Sequence, residues 1–182
     1  FGLDLTPHGL REAADKHAFA QSLASEKTAN ASGWLDFLYL PYDLEVVGRP
    51  AAGHPIELPF EDRTFDKLCC SLLLSYLGHP ERLLAECHRV LKPGGTFIIS
   101  SMKPYCDLSV LYKDVVEETE DAETRRKARN LLSAAGAIRM KEEQGHYVFY
   151  TREELESLAA KAGFRNLQSF RSFGDQANLV TG

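Results

Sequence analysis

The sequence predicts an α/β fold built on a mostly parallel sheet that ends in an antiparallel hairpin. Three observations lead to this prediction. Strand-like and helix-like segments alternate along the chain, residues 65–74 form a nearly continuous apolar run, and only Gly174-Asp175 separates the last two extended segments. Alternation of strands and helices implies a parallel sheet with covered faces, and a central strand of such a sheet is apolar on both sides. A short turn of this composition joins antiparallel strands.

The individual elements follow from local patterns. Thr6-Pro7 indicates a helix start, the spacing Thr151-x-x-Glu154 forms a capping box, and Gly163 suits a left-handed helix end. In chain order the predicted elements are a strand over 1–5, a helix from Thr6 to about Ala24, a strand over 35–40 closed by Pro41, a loop over 46–55, a strand over 65–74, a helix from Pro80, a turn at 92–95, a strand over 96–100, helices over 107–136, a helix over 151–163 and a hairpin of 166–173 with 176–180.

Length and composition limit the classes of protein to which the chain can belong. Its 182 residues suit one domain, and a net charge of -5 argues against nucleic acid as a partner. No apolar stretch approaches the roughly 20 residues that cross a membrane. The four cysteines lack C-x-x-C spacing, so we expect free thiols, no metal site and a cytoplasmic location. The oligomeric state is not indicated.

Two linked motifs resemble the class I methyltransferases that use S-adenosylmethionine. They are the segment L-P-F-E-D-R-T-F-D at 58–66 and the segment R-V-L-K-P-G-G at 89–95, about thirty residues apart. In the branch that includes ubiquinone-biosynthesis enzymes, the first segment leads into the fourth strand and the second turns into the fifth. The ends of the chain are similar to the second strand and to the last helix of the same family.

The resemblance implies a Rossmann-like methyltransferase sheet, with S-adenosylmethionine as the cofactor and a small molecule as the methyl acceptor. It also implies that residues 1–182 form a single, N-terminally incomplete domain, because the glycine-rich first strand and its helix have no counterpart in this sequence. The helices at about 107–145 are expected to form a lid over the substrate.

The same resemblance assigns cofactor-binding residues. Asp4, followed by Leu5, occupies the position of the ribose-binding acid at the tip of the second strand, and a carboxylate there can accept both ribose hydroxyls. The pair Asp43-Leu44 follows the third strand and corresponds to the residues that contact the adenine. The alternatives are a helix-start acid for Asp4 and a turn residue for Asp43, and a competing alignment puts His54 in the place of Asp43.

Ser71 and Leu72 are also candidate cofactor-binding residues. They lie near the end of the predicted fourth strand, and ligands bind at the carboxyl ends of the strands in an open α/β sheet. The resemblance places them beside the methionine end of the cofactor, although Leu72 also suits a core position. Tyr76 and Lys103 are the polar residues nearest the expected methyl group and are the catalytic candidates. Each of these two also suits a surface or packing role.

Two further functions remain open at this point. The chain could be a catalytically inactive methyltransferase-like domain with a regulatory or protein-interaction role. It could also be a nicotinamide-dependent oxidoreductase, because Asp4 would suit that ribose equally. The two linked motifs and the closing hairpin disfavour the oxidoreductase.

Overall fold

The computed structural model of the protein describes the chain except for Leu5, residues 28–37 and residues 52–53. The described residues form two compact units, Phe1–Val47 and Gly48–Gly182.

The first unit is a short parallel pair of strands with one long helix. Strand β1 spans Gly2–Asp4, helix α1 spans Pro7–Lys27, strand β2 spans Tyr39–Pro41, and a 3-10 turn covers Leu44–Val46. The parallel pairing of β1 with β2 is as the sequence predicts. The helix also starts as predicted, since the hydroxyl of Thr6 accepts the amide N–H of Gly9 at 3.1 Å. It runs three residues beyond the predicted end at Ala24, and the first half of the predicted strand 35–40 lies outside the described residues.

The second unit contains a four-stranded sheet with helices. In chain order its elements are β3 Pro50–Ala51, β4 His54–Pro55, β5 Phe65–Cys70, α2 Pro80–Val90, β6 Leu91–Met102, α3 Leu108–Glu118, α4 Ala122–Glu143, α5 Arg152–Lys161, β7 Gln168–Ser172 and β8 Ala177–Thr181. The strand order is β5-β6-β8-β7, with β5 parallel to β6 and the β7–β8 hairpin antiparallel. The predicted hairpin and its place beside a parallel strand are confirmed, but four residues, 173–176, connect β7 to β8 where the sequence predicted two.

The core of this unit lies on one face of the sheet, where α2 and α5 pack against each other. Alternate residues of β6 point to that face, and Phe97 and Ile99 are fully buried there. The ring of Phe97 stacks on Phe164 at 3.9 Å between centroids. Each fully buried side chain of this size stabilises the fold by roughly 1.5–3 kcal/mol. The predicted capping box of α5 is present, with Thr151 and Glu154 bonded reciprocally.

The two motifs that carry the family resemblance are joined to each other by hydrogen bonds. The guanidinium of Arg89 donates to the carbonyl oxygens of Leu58 and Phe60 and to the carboxylates of Asp62 and Glu86, at 2.7 to 3.2 Å. Glu86 in turn accepts the amide N–H of Leu58 at 2.8 Å. The spacing of the motifs therefore has a physical reason, because the end of α2 fixes the segment that leads into β5.

The glycines of the second motif permit a close turn inside β6. Phe65 pairs with Leu91 and Lys67 with Thr96, so residues 92–95 bulge out opposite a single residue, Asp66. A Cβ at Gly95 would lie 2.9 Å from the carbonyl oxygen of Lys92 and 3.0 Å from that of Asp66, closer than side chains tolerate. The predicted turn at 92–95 is thus confirmed, within a strand that is longer than the predicted 96–100.

Three element predictions are wrong. The loop predicted over 46–55 contains a 3-10 turn and the small antiparallel pair β3–β4, which periodicity could not reveal in segments of two residues. The strand predicted over 65–74 ends at Cys70, because Leu72 takes a left-handed conformation and Leu74–Tyr76 forms a 3-10 turn. The helix expected to end near Gly136 continues to Glu143, since α4 tolerates that glycine in its interior.

Candidate functional site

Two acidic residues lie at the carboxyl ends of the strands in the first unit. Asp4 is the last residue of β1, and Asp43 follows the end of β2 by two residues. The amide N–H of Tyr42 donates to the carbonyl oxygen of Asp4 at 2.9 Å, so the two chain segments leave the sheet side by side. The parallel register of β1 and β2 therefore brings both predicted acids to one edge.

Only one oxygen of the Asp4 carboxylate accepts hydrogen bonds from the described residues. Its Oδ1 accepts the amide N–H of Thr6 at 2.7 Å and the hydroxyl of Thr6 at 2.8 Å, so the alternative role at the helix start is realised. None of the described residues donates to Oδ2. A Cβ at Gly9 would lie 2.8 Å from Oδ2, so a glycine is needed where the carboxylate lies over the first turn of α1. An acceptor oxygen next to a helix N-terminus suits a hydroxyl-bearing ligand.

Asp43 has a comparable arrangement. Its Oδ1 accepts the amide N–H of Glu45 at 3.0 Å and caps the 3-10 turn that starts at the half-buried Leu44. Asp43 therefore has the turn role that the sequence analysis gave as its alternative. Its Oδ2 has no donor among the described residues. His54 lies in the exposed strand β4 of the second unit. The predicted neighbour of Asp4, Leu5, lies outside the described residues.

In the second unit, the carboxyl end of β5 forms a strained corner. Leu72 has φ 54°, a conformation that costs a non-glycine residue about 1 kcal/mol. Its amide N–H is shared between the carbonyl oxygen and the hydroxyl of Ser100, each at 3.1 Å. The hydroxyl of Ser100 also lies 3.5 Å from that of Ser71, to which it donates. The buried Ser100 on β6 thus holds both predicted residues, Ser71 and Leu72, in this conformation.

An apolar cluster lies next to this corner, under helices α3 and α4. These two helices pack against each other. Its buried members lie on β6, on α3, before α5 and on β8, and Leu72 packs against them as a half-buried residue. The full set is Met102, Leu108, Phe149 and Ala177, with Leu72, Cys106, Leu111, Ala135, Ile138 and Tyr147 around them. The corner therefore lies at the border of an apolar region that α3 and α4 cover.

Tyr76 belongs to the 3-10 turn after β5 and is 44% exposed. Its ring packs edge-on against Tyr147, with 4.6 Å between the ring centroids. Partial burial, together with the neighbouring Tyr147 and Cys106, raises the pKa of the Tyr76 phenol. The phenol therefore stays protonated at neutral pH and can donate a hydrogen bond. The ring of Tyr76 thus packs against Tyr147 while part of the side chain stays exposed to solvent.

Lys103, the other catalytic candidate, directly follows β6. Its amide N–H donates to the carbonyl oxygen of Gln176 at 2.9 Å, and the side-chain oxygen of Gln176 accepts the amide N–H of Asp107 at 2.8 Å. The buried Gln176 thus fixes the chain on both sides of Cys106. Lys103 is near Cys106, where its charge lowers the pKa of the thiol, although burial and Glu142 raise that pKa overall.

The chain after α4 is fixed in the same way. The amide N–H of Tyr150 donates to the hydroxyl of Ser101 at 3.2 Å, and the side chain of Asn178 donates to the carbonyl oxygen of Tyr150 at 2.7 Å. Ser101 and Asn178 are partners on β6 and β8. Both ends of the α3–α4 pair are therefore attached to the sheet by buried polar side chains.

Sequence reasoning missed several of these residues. Ser100, the last residue of the predicted strand over 96–100, lies inside the longer β6 and is buried, and Tyr147, Gln176 and Asn178 were not singled out. Their contacts depend on strand register, for which a lone serine, glutamine or asparagine carries no local signal. A polar residue inside a β-branched or apolar strand is the one available hint, since a buried polar group requires a partner.

No group of three or more metal-ligating side chains occurs among the residues that the structure describes. Within the same residues, no helix is both long and apolar enough to cross a membrane.

An acidic strand tip in an open α/β fold is a position from which such folds bind the ribose of an adenosine-containing cofactor. The chain matches the family described as "Methyltransferase domain" over residues 1–99, and a second family with the same description over residues 52–163. The protein thus belongs to the methyltransferase domain family, in the branch that the two motifs indicate. S-adenosylmethionine is the cofactor of this family, and the prediction of the family, fold and cofactor is confirmed.

Individual proteins are also similar in sequence to this chain. The chain is 32% identical over 127 residues to a ubiquinone/menaquinone biosynthesis C-methyltransferase of Brucella canis, covering 69% of this chain and 46% of that protein. It is 29% identical over 115 residues to an uncharacterised protein of Methanocaldococcus jannaschii, covering 59% of this chain and 54% of that protein. The chain thus spans about half the length of these relatives.

Solved structures show the same fold. The complex of the Haloferax volcanii Trm112 methyltransferase activator with a putative methyltransferase matches with a TM-score of 0.52 and 17% identity, covering all of this chain and 69% of that one. A possible exported protein of Bordetella parapertussis matches with a TM-score of 0.54 and 16% identity, covering 99% of this chain and 51% of that one.

The residues present fit the cofactor of the family. A ribose offers hydroxyl donors, and Asp4 and Asp43 each keep one carboxylate oxygen without a donor from the described residues. A carboxylate oxygen of this kind can accept a hydrogen bond from a hydroxyl or an amino group.

Proposed function

We propose that the protein transfers a methyl group from S-adenosylmethionine to a small-molecule acceptor. The observation that carries this proposal is the pair of acids at the carboxyl ends of β1 and β2, in a chain that belongs to the methyltransferase family. The net charge of -5 favours a small molecule over nucleic acid as the acceptor. In this proposal residues 1–182 act as one domain.

In the proposed site, Asp4 accepts the ribose hydroxyls through Oδ2, while Oδ1 stays bonded to Thr6. Asp43 accepts the amino group of the adenine through its free oxygen, and Leu44 packs beside the ring. Ser71 and Leu72 line the methionine end. The unusual backbone at Leu72 supports this role, because strained conformations persist where the surrounding structure enforces them and they cluster at binding sites.

When bound, S-adenosylmethionine would supply an electrophilic methyl group on its sulfonium, which an acceptor atom would take by in-line displacement, with the thioether S-adenosylhomocysteine as the leaving group. The protein then has to position the acceptor and exclude water. Tyr76, whose pKa is raised by burial, donates a hydrogen bond that orients the acceptor. The cation of Lys103 attracts an acceptor that carries negative charge. The α3–α4 pair covers the acceptor as a lid, anchored through Gln176 and Asn178.

A methyl-transfer assay tests this function. The full-length protein is incubated with S-adenosylmethionine carrying a labelled methyl group and a panel of phenols, quinols, amines and carboxylates, and the labelled product is separated. We expect transfer to at least one class of acceptor, with kcat/KM lowered about tenfold or more in Tyr76→Phe. Tyr112→Phe, a tyrosine on α3, is the matched control. Cofactor binding without transfer to any acceptor would instead favour an inactive domain with a regulatory role.

A further inference from the structure

A cavity lies at the opposite end of β6 from the strained corner. It has a volume of about 520 Å³ and is lined by the turn at 92–95, the segment before β5, and the residues that follow α5. From Gly95 to Ser100 the strand advances by five residues, or roughly 17 Å at about 3.3 Å per residue. The cavity is therefore separate from the proposed methyl-transfer site, and a volume of this order fits a small organic ligand.

The cavity is rich in cations although the protein is acidic overall. Arg63, Arg89, Lys92 and Arg165 line it, with Asp62 as the one carboxylate side chain among the lining residues. Arg89 is held by the two carboxylates described above, and Lys92 pairs with the exposed Asp66 at 2.8 Å. These two cations are largely compensated and give the cavity little net charge of their own.

Arg63 and Arg165 are not compensated. Both are exposed, and no carboxylate of the described chain lies within ion-pair distance of either guanidinium. Arg165 is nevertheless positioned, because its Nη1 donates to the carbonyl oxygens of Phe164 and Ala160 at 2.9 and 3.3 Å. The rest of its guanidinium is free to donate to a ligand. Arginine presents its donors in a planar fork that matches phosphate and carboxylate oxygens.

Two features of the backbone hold this arrangement. Arg63 has φ 55°, which is uncommon for a residue with a side chain, and its amide N–H donates to the carbonyl oxygen of Arg89 at 2.9 Å. Gly163 has φ 107°, and a Cβ there would lie 3.0 to 3.2 Å from the ring of His88. The imidazole of His88, which packs edge-on against Phe164, adds an aromatic wall beside the cations.

We propose that this cavity binds a small phosphate ester whose phosphate is held by Arg63 and Arg165 and whose organic part lies against His88. Lys92 adds a third, weaker cation at the rim. A cavity with two free guanidinium groups and an aromatic wall suits a phosphate monoester carrying a ring. The site is independent of methyl transfer, so a protein without detectable methyl transfer would still bind such an anion.

Calorimetric titration of the full-length protein with phenyl phosphate at low ionic strength tests the proposal. We expect saturable binding that weakens as sodium chloride is added, because exposed charges are screened by salt. The double variant Arg63→Glu with Arg165→Glu should lose at least tenfold in affinity. Arg129→Glu, an exposed arginine of α4 outside the cavity, is the control and should bind as the wild type does.

Three results would overturn the proposal: no saturable binding to the wild type, equal binding to the double variant, or equal loss in Arg129→Glu. Thermal unfolding of each variant checks folding. If the double variant is unfolded, Arg63→Gln alone carries the test, since Arg63 is exposed and its backbone bond is retained. That variant should lose at least threefold, and unchanged affinity would contradict the assignment. Phenol, which has the ring without the phosphate, should not bind.

Discussion

Replacing Ser100 by alanine tests the physical account of the strained corner. The substitution removes the hydroxyl that accepts the amide N–H of Leu72 and donates to Ser71, but it keeps the carbonyl oxygen that shares the same N–H. Serine and alanine differ by one oxygen atom, so the strand and its packing should be preserved. The expected change is therefore confined to the corner.

The magnitude follows from two opposing contributions. A hydrogen bond of this kind contributes about 1 kcal/mol, and the left-handed conformation of Leu72 costs about 1 kcal/mol. With the hydroxyl these two contributions nearly cancel, which would correspond to about half of the molecules in the observed conformation if no other contact contributed. Without it, an unfavourable difference of about 1 kcal/mol reduces that fraction about threefold, and the apparent affinity for the cofactor falls by the same factor.

Cofactor affinity is measured by calorimetric titration with S-adenosylmethionine in a double-mutant cycle. Glycine at position 72 removes the conformational cost. We therefore expect Ser100→Ala to weaken binding about threefold in the wild type but to have little effect in a Leu72→Gly background. Ser157→Ala on α5 is the control. An equal effect of Ser100→Ala in both backgrounds, or no effect in the wild type, would refute the reasoning, because the cycle isolates the coupling between the two positions.

The remaining predictions concern stability. Arg89→Met should lower the free energy of unfolding by about 2–3 kcal/mol in urea titration, because the substitution leaves Glu86 partly buried and without its ion-pair partner. Arg129→Met is the control, and equal losses of stability in the two variants would contradict this prediction. Burial raises the pKa of Glu86, but bonds from Arg89 and the Leu58 amide outweigh it and the pKa is lowered overall. The difference between wild type and Arg89→Met is thus complete above the unfolded pKa of about 4.3 and should shrink as acid protonates Glu86. Thr151→Ala should lower stability by about 1 kcal/mol through loss of the capping box, whereas Thr151→Ser should not, and equal stabilities of these two variants would show that the box contributes nothing.

Much of the fold could be predicted because its determinants are local. Thr151 and Glu154 form a capping box whose geometry depends on four consecutive residues, and the hairpin around Gly174 depends on a short turn. The end of β5 could not be predicted, because it is set by a bond from Leu72 to Ser100, which lies 28 residues further along the chain. Apolar composition at 71–74 suits a strand and a 3-10 turn equally.

In the candidate site, too, residues with a local sequence signature could be predicted and residues that act across the sheet could not. Asp4 could be located because a carboxylate at the end of a strand and the start of a helix is a local signature. Its actual hydrogen bonds to Thr6 follow from the same short segment. The contributions of Gln176 and Asn178 could not be predicted, because each acts across the sheet on a segment about 30 to 70 residues away in the chain.

The central claim is that Asp4 binds the ribose of S-adenosylmethionine. Asp4→Asn keeps the size of the side chain and an acceptor oxygen but removes the charge that strengthens a bond to a hydroxyl donor. Calorimetric titration of the full-length protein with S-adenosylmethionine should show affinity lowered at least tenfold in Asp4→Asn and unchanged in Asp15→Asn, an exposed acid of α1 in the same unit. Equal affinities in wild type and Asp4→Asn would contradict the claim.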